Sequence, residues 1–171
     1  MRVCIKLSMI FLLIAGLFAC EQKKSQSVFL EKDGNLYEVN DHVSFYHPKS
    51  FSMNVTSENK NVIEFINDQE MIYYKTIIDD TDNKVEDMPA LYAGALEQEG
   101  AIDVYYQSMT IESGLVCQEF TGIFGATGVK FKHLVYFTPD YSYMLCYQAP
   151  DKVYDDQIDI ITQYLVSLVV S

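Results

Sequence analysis

The feature that most constrains the fold is a series of four strand-like segments in the second half of the chain. They cover residues 102–111, 115–124, 129–137 and 141–148, and they are rich in the β-branched and aromatic residues that favour strands. Only Gly125–Gly128 and Thr138–Asp140 separate the last three segments. Connections this short join neighbouring antiparallel strands, since a parallel crossover needs a dozen or more residues. The sequence therefore predicts an antiparallel meander near the end of the chain.

Earlier segments also read as strands, at residues 36–39, 42–46, 51–55, 62–65 and 71–78. A helix is predicted to begin near Asp87, with Pro89 in its first turn and Gly100 at its end. Its predicted apolar face is Met88, Leu91, Tyr92, Ala95 and Leu96. A second helix follows Pro150, with Tyr154, Ile158, Ile161, Leu165 and Leu168 on one face. This order predicts an α+β domain in which a single antiparallel sheet of about six to seven strands carries helices on its faces.

The first nineteen residues have the composition of a signal peptide. Arg2 and Lys6 precede the apolar stretch Leu7–Leu17, which has the length of a secretory signal core and is shorter than the roughly 20 residues of a membrane span. The stretch Leu17–Cys20 resembles the lipobox of bacterial lipoproteins. An ordinary signal cleaved nearby, or an uncleaved anchor, is the alternative interpretation.

The lipobox resemblance implies three segments. These are a signal peptide at 1–19, a lipidated N-terminus with a flexible tether at 20–34, and a folded domain at 35–171. Cys20 would carry the diacylglyceryl lipid and become the mature N-terminus. The implied location is the extracytoplasmic face of the cell membrane, at the cell surface or in a periplasm.

The chain is strongly acidic. The signal peptide contains two positive charges and no negative ones, so its removal changes the net charge from −12 to −14. Such a charge repels nucleic acid and anionic lipid headgroups. Nucleic acid is therefore not expected as a partner, and the membrane would be bound through the lipid on Cys20.

Three parts of the domain together resemble the superfamily that includes the photosystem extrinsic protein PsbP and the Ran-binding protein Mog1. They are an aromatic strand that runs into proline (Phe45–Phe51), a middle helix, and a meander (Cys117–Ala149) followed by a helix that ends in Tyr164–Leu168. Known members of this superfamily look like binding modules without enzymatic activity, and many of them are exported or lipid-anchored in bacteria. The resemblance implies a non-enzymatic binding or assembly module with a protein partner and no cofactor.

Catalytic motifs are scarce in this sequence. It has no Gly-x-Ser-x-Gly, His-Glu-x-x-His or Cys-x-x-Cys motif and no phosphate-binding loop. Cys117 or Ser142 could serve as a nucleophile with His133 as its base, but no orienting acid or oxyanion donor can be assigned. A small extracytoplasmic hydrolase or redox enzyme that uses Cys117, Cys146 or His133 is kept as an alternative.

Two sets of residues could bind a metal ion. The acidic segment Asp79–Asp87 offers oxygen ligands, although Lys84 and Val85 occupy positions where a calcium loop of the EF-hand type needs a ligand and a glycine. The histidines are His42, His47 and His133, and the first two have opposite parity on a strand. A solvated loop before the helix is the preferred interpretation, and a calcium- or metal-binding lipoprotein is the other alternative.

Glycine and tyrosine have structural interpretations. Gly122, Gly125 and Gly128 lie between two strand segments and are interpreted as hairpin residues.

Eight tyrosines fall on predicted strands: Tyr73, Tyr74, Tyr105, Tyr106, Tyr136, Tyr141, Tyr143 and Tyr147. Adjacent pairs place one ring on each face of a sheet, so any part of a face that no helix covers would present an aromatic patch.

Cys117 and Cys146 are predicted to be reduced despite export. They lie on the first and third strands of the meander, so a whole strand separates them by about 9–10 Å, whereas a disulfide tolerates Cα separations of about 7 Å at most. The turns also place Cys117 opposite Tyr136 and Cys146 opposite His133, which puts the two sulfurs on opposite faces.

Overall fold

The computed structural model describes residues 29–55, 62–79 and 82–171. The strands are β1 (Gly34–Asn40), β2 (Val43–Pro48), β3 (Ser52–Met53), β4 (Val62–Asn67), β5 (Glu70–Ile78), β6 (Ala101–Thr110), β7 (Val116–Phe124), β8 (Val129–Phe137), β9 (Tyr141–Pro150) and β10 (Val169–Val170). The long helices are α1 (Met88–Gln98) and α2 (Asp151–Leu165). No helix in these ranges is long and apolar enough to span a membrane.

The N-terminal predictions fall largely outside the described residues. The signal peptide, the stretch Leu17–Cys20 and the first part of the predicted tether are not among them. Residues 29–33 are helical and lead directly into β1. Leu30 is buried in the core and Phe29 packs against Tyr164 of α2, so the packed domain begins ahead of residue 35.

The strands form two antiparallel sheets, and the expectation of a single sheet was wrong. A three-stranded sheet has the order β1-β2-β10, and a seven-stranded sheet has the order β3-β4-β5-β9-β8-β7-β6. The small sheet packs against one face of the large one, where Phe45 of β2 stacks on Tyr74 of β5 with ring centroids 5.7 Å apart. The two-residue strand β10, which was not predicted, adds to β2 and completes this second layer.

The meander is confirmed. Strands β7, β8 and β9 are successive neighbours, and β6 extends them at the edge. His133 lies directly opposite Cys146, as the turn positions predicted. Cys117 and Cys146 are both buried and unpaired, with β8 between their strands.

Each face of the large sheet has its own core. On one face, α2 and the small sheet bury Phe45, Phe65, Tyr74, Cys117, Leu145, Tyr147, Ile161 and Leu165. On the other, α1 buries Ala93, Leu96, Phe120, Phe131, Val135, Met144 and Cys146. The two cysteines therefore belong to opposite cores, as predicted.

The predicted helices exist, with one correction at α1. Asp87 is the N-cap residue, but its side chain makes no capping hydrogen bond. Leu91 and Ala95, both predicted on the apolar face, are exposed, whereas Ala93 and Leu96 are the buried residues, because α1 covers only part of the sheet. The face predicted for α2 is confirmed at Tyr154, Ile161 and Leu165, which are buried.

The three glycines do not share one role. Gly128 has a φ of +68° in the turn between β7 and β8, and Gly125 lies in the same turn. Gly122 lies inside β7, where a Cβ would come within 2.6 Å of the Phe131 ring. It leaves room for that ring, and the hairpin interpretation was wrong at this position.

Candidate functional site

An apolar cleft opens between α1 and the large sheet. Its volume is about 250 Å³, and we call it the α1 cleft. It is lined by Ile77, Ile78, Asp79, Asn83, Met88, Leu91, Tyr92, Phe137, Ser142 and Met144. Strand pairing builds its floor, since Ser142 of β9 lies between Ile77 of β5 and Phe137 of β8. The first two turns of α1 form the opposite wall.

The approach to the α1 cleft is acidic. The segment before α1 carries Asp82, Glu86 and Asp87, all exposed, besides Asp79 in the lining itself. Lys84 lies 3.7 Å from Glu86, and both side chains are about three-quarters exposed. An ion pair in that setting is weak and screened by salt. The cleft therefore combines an apolar floor with a negatively charged border.

A hydrogen-bonded network lies behind the inner end of the cleft. The hydroxyl of Tyr92 is 2.8 Å from Nδ1 of His133, and the hydroxyl of Tyr73 is 3.1 Å from Nε2. The Gln148 side-chain amide donates a hydrogen bond to the Tyr73 hydroxyl at 3.3 Å. The Tyr73 hydroxyl is also hydrogen-bonded to the Cys146 thiol. Because a neutral imidazole has one donor and one acceptor, one tyrosine donates to the ring and the other accepts from it.

Burial keeps this network uncharged. His133 is 1% exposed, and loss of hydration lowers its pKa to about 3. The same cause raises the pKa of Tyr73, Tyr92 and Cys146, so these groups stay protonated. The network satisfies buried polar groups and fixes Tyr92 at the cleft wall. Sequence reasoning missed it, because it depends on β5 pairing with β9, far apart in the chain.

Of the candidate nucleophiles, only Cys146 lies next to His133, directly opposite it on β9, and both side chains are fully buried and uncharged. The structure does not bring Cys117 or Ser142 to His133. Cys117 faces the α2 core while His133 faces the α1 core, and burial raises the pKa of the Cys117 thiol to about 12. Ser142 shares the face of His133 but lies four residues along β9 from Cys146, the residue opposite His133. That spacing amounts to about 13 Å at the usual strand rise.

The candidate metal ligands are also not brought together. Among the described residues, no three side chains of His, Cys, Asp or Glu form a group suited to a metal ion; part of Asp79–Asp87, residues 80–81, lies outside them. His47 stacks on Phe65 with ring centroids 3.9 Å apart. His42 lines a separate polar depression beside β10, and His133 is enclosed under α1.

A tyrosine patch occupies the other face at the same end of the sheet. Tyr136 stacks on Tyr143 with centroids 6.2 Å apart, and Tyr141 follows at 6.0 Å. Tyr141 is 41% exposed, and Ile78, directly opposite it on β5, is 71% exposed. Tyr136 and Tyr143 pack partly against the α2-side core, so the uncovered aromatic surface that the tyrosine pattern predicted is limited to Tyr141 at this end. Both faces therefore present apolar surface at this end.

The likeness of this chain to known proteins is a likeness of fold. No protein-family model matches the sequence, and no curated protein matches it significantly. The Ran-binding protein Mog1 of Saccharomyces cerevisiae superposes with a TM-score of 0.55 at 11% identity, over 80% of this chain and 95% of Mog1. The domain has a Mog1/PsbP-like fold.

Two further solved structures have the same architecture. Cyanobacterial PsbP from Synechocystis superposes with a TM-score of 0.56 at 12% identity, covering 81% of this chain and 93% of that protein. LpqN, involved in cell envelope biogenesis of Mycobacterium tuberculosis, gives 0.57 at 10% identity and covers 84% and 95%. At these identities the likeness concerns the fold alone.

Proposed function

We propose that this protein is a non-enzymatic binding or assembly module, held at the extracytoplasmic face of the membrane by lipid on Cys20, with a protein partner. The observation that carries the proposal is the α1 cleft, an open apolar surface. Cys146 and His133, which lie opposite each other behind it, are fully buried and held uncharged by burial, so they do not act as a nucleophile and base in the cleft. Structural neighbours support it, since one is named as a Ran-binding protein and another is described as involved in cell envelope biogenesis.

The chemistry of the cleft indicates which partner surface it accepts. Its floor of Ile77, Phe137 and Met144 favours an apolar side chain, and Tyr92 is held in place by His133, so little side-chain freedom is lost on binding. The acidic border favours lysine or arginine beside that apolar group, and such charge complementarity accelerates association. We therefore propose a partner segment in which an apolar anchor is flanked by basic residues.

Site-specific photo-crosslinking in native membranes tests this function. A photoreactive amino acid at Leu91, half-exposed in the cleft wall, is compared with the same group at Ile160, 46% exposed on α2. We expect a discrete protein adduct from position 91 that is reduced by Met88→Gln, a change at a partly buried lining residue in the first turn of α1, and none from position 160. Higher salt should reduce the adduct, because it screens the acidic border.

Two results would contradict the proposal. Equal adducts from positions 91 and 160 would mean that the cleft has no preference for a partner. Absence of any adduct from Leu91, in cells where the protein is present at its normal level, would remove the cleft as a binding surface.

A further inference from the structure

The outer edge of β6 is an open strand edge. β6 is the last strand of the seven-stranded sheet and pairs only with β7, and no described strand pairs with its other side. It is ten residues long, whereas β3 at the opposite edge has two. A long edge offers a row of backbone donors and acceptors to another strand.

The composition of this edge differs from that of the rest of the chain. Charged residues make up 21% of the sequence, yet residues 104–110 contain none, and Asp103 is the single charge in β6. Proteins usually protect long edges with charges, proline or bulges. Here the only irregularity lies between Ile102 and Tyr105, so the strand is regular from Tyr105 onward.

Side chains hold this edge rigid without covering it. Tyr106 stacks on Phe120 with ring centroids 5.4 Å apart. Gln107 and Ser108 form hydrogen bonds to Glu119 and Gln118 of β7, at 3.1 and 2.6 Å. Tyr105 is 70% exposed and Tyr106 47%. The strand is thus prepared for pairing with little further ordering.

We infer that β6 pairs with β6 of a second copy of this chain, in antiparallel orientation about a two-fold axis normal to the sheet. The strand suits a symmetric partner because its uncharged stretch is compatible with itself, which an interface with two-fold symmetry requires. The regular, uncharged stretch runs from Tyr105 to Thr110, and its midpoint lies between Gln107 and Ser108. Paired residues must share a face, so one of these two residues lies opposite its own symmetry mate, and the two sheets become one.

This geometry makes a register-specific prediction that does not depend on the α1 cleft. Single cysteines are introduced into the full, membrane-anchored protein as Gln107→Cys, Ser108→Cys and Val116→Cys, the last being a 59% exposed position on β7. Mild oxidation should link two copies through position 107 or through position 108, but not both, since only residues directly opposite each other come within disulfide range. Val116→Cys should stay monomeric.

Charge at the edge gives a second measurement. Sedimentation equilibrium of the detergent-solubilised protein should show a dimer, and Tyr105→Lys should weaken it about tenfold, because an aromatic contact is replaced by like charges. Ile160→Lys, with the same charge change on α2, should leave the dimer unchanged. Raising salt should strengthen self-association of these acidic chains.

The proposal is overturned if neither position 107 nor position 108 crosslinks, if Val116→Cys crosslinks as strongly as they do, or if the protein sediments as a monomer throughout the micromolar range. Equal weakening by Tyr105→Lys and Ile160→Lys would also overturn it, because the effect would then be general repulsion.

Discussion

At the scale of single residues, His133 couples stability to pH. Its pKa is lowered to about 3 in the folded protein, against about 6.5 when unfolded. Between those values the unfolded chain binds a proton that the folded protein does not, so stability falls as the pH falls. From pH 6.5 to 4.5 we expect a loss of about 2 kcal/mol from this residue.

The measurement compares urea unfolding of the wild type with that of His133→Gln across this pH range. The variant should be less stable overall but should lose about 2 kcal/mol less on acidification. His47 also has a pKa lowered by burial, and it is present in both proteins, so the difference isolates His133. Identical pH dependence in the two proteins would mean that His133 is not enclosed as described.

At the scale of elements, two glycines give opposite expectations for the same substitution. A Cβ at Gly122 in β7 would lie 2.6 Å from the Phe131 ring and 3.1 Å from the Ile102 carbonyl oxygen. Gly122→Ala should therefore cost about 1–3 kcal/mol by overpacking. Gly94 lies inside α1 with nothing within 4 Å of an added Cβ, so Gly94→Ala should stabilise by about 0.5–1 kcal/mol. Thermal and urea unfolding measure the free energy of unfolding of both variants. A Gly122→Ala variant as stable as the wild type would contradict the described β7–β8 packing.

The elements also show where residue patterns lead to the right fold and where they do not. The meander followed from turn length, because four-residue and three-residue connections leave no other arrangement. The face of α1 did not follow, because Leu91 satisfies the helical period as well as Leu96 does. Only the position of the sheet decides that Leu96 is buried and that Leu91 borders an open cleft.

At the scale of the whole molecule, membrane attachment is predicted to depend on Cys20. The net negative charge should repel the domain from an anionic surface, so we expect the lipid to supply the membrane affinity. The wild type should partition into the detergent phase and incorporate labelled fatty acid, and Cys20→Ser should do neither. Failure of the wild type to take up fatty acid would contradict the lipoprotein prediction.

The sequence by itself determined the features that depend on neighbouring residues. These are the antiparallel meander, the two helices and the reduced state of Cys117 and Cys146, because short turns dictate both strand order and side-chain parity. Tertiary structure decided what depends on distant pairing. β1 and β2 pair with each other apart from the large sheet, and Val169 and Val170, far away in the chain, add to β2 as its third strand. The pairing of β5 with β9 also places the Tyr73 hydroxyl within hydrogen-bond distance of His133 Nε2. No local pattern carries such information, since loop closure allows many pairings and only the combined burial of both cores selects one.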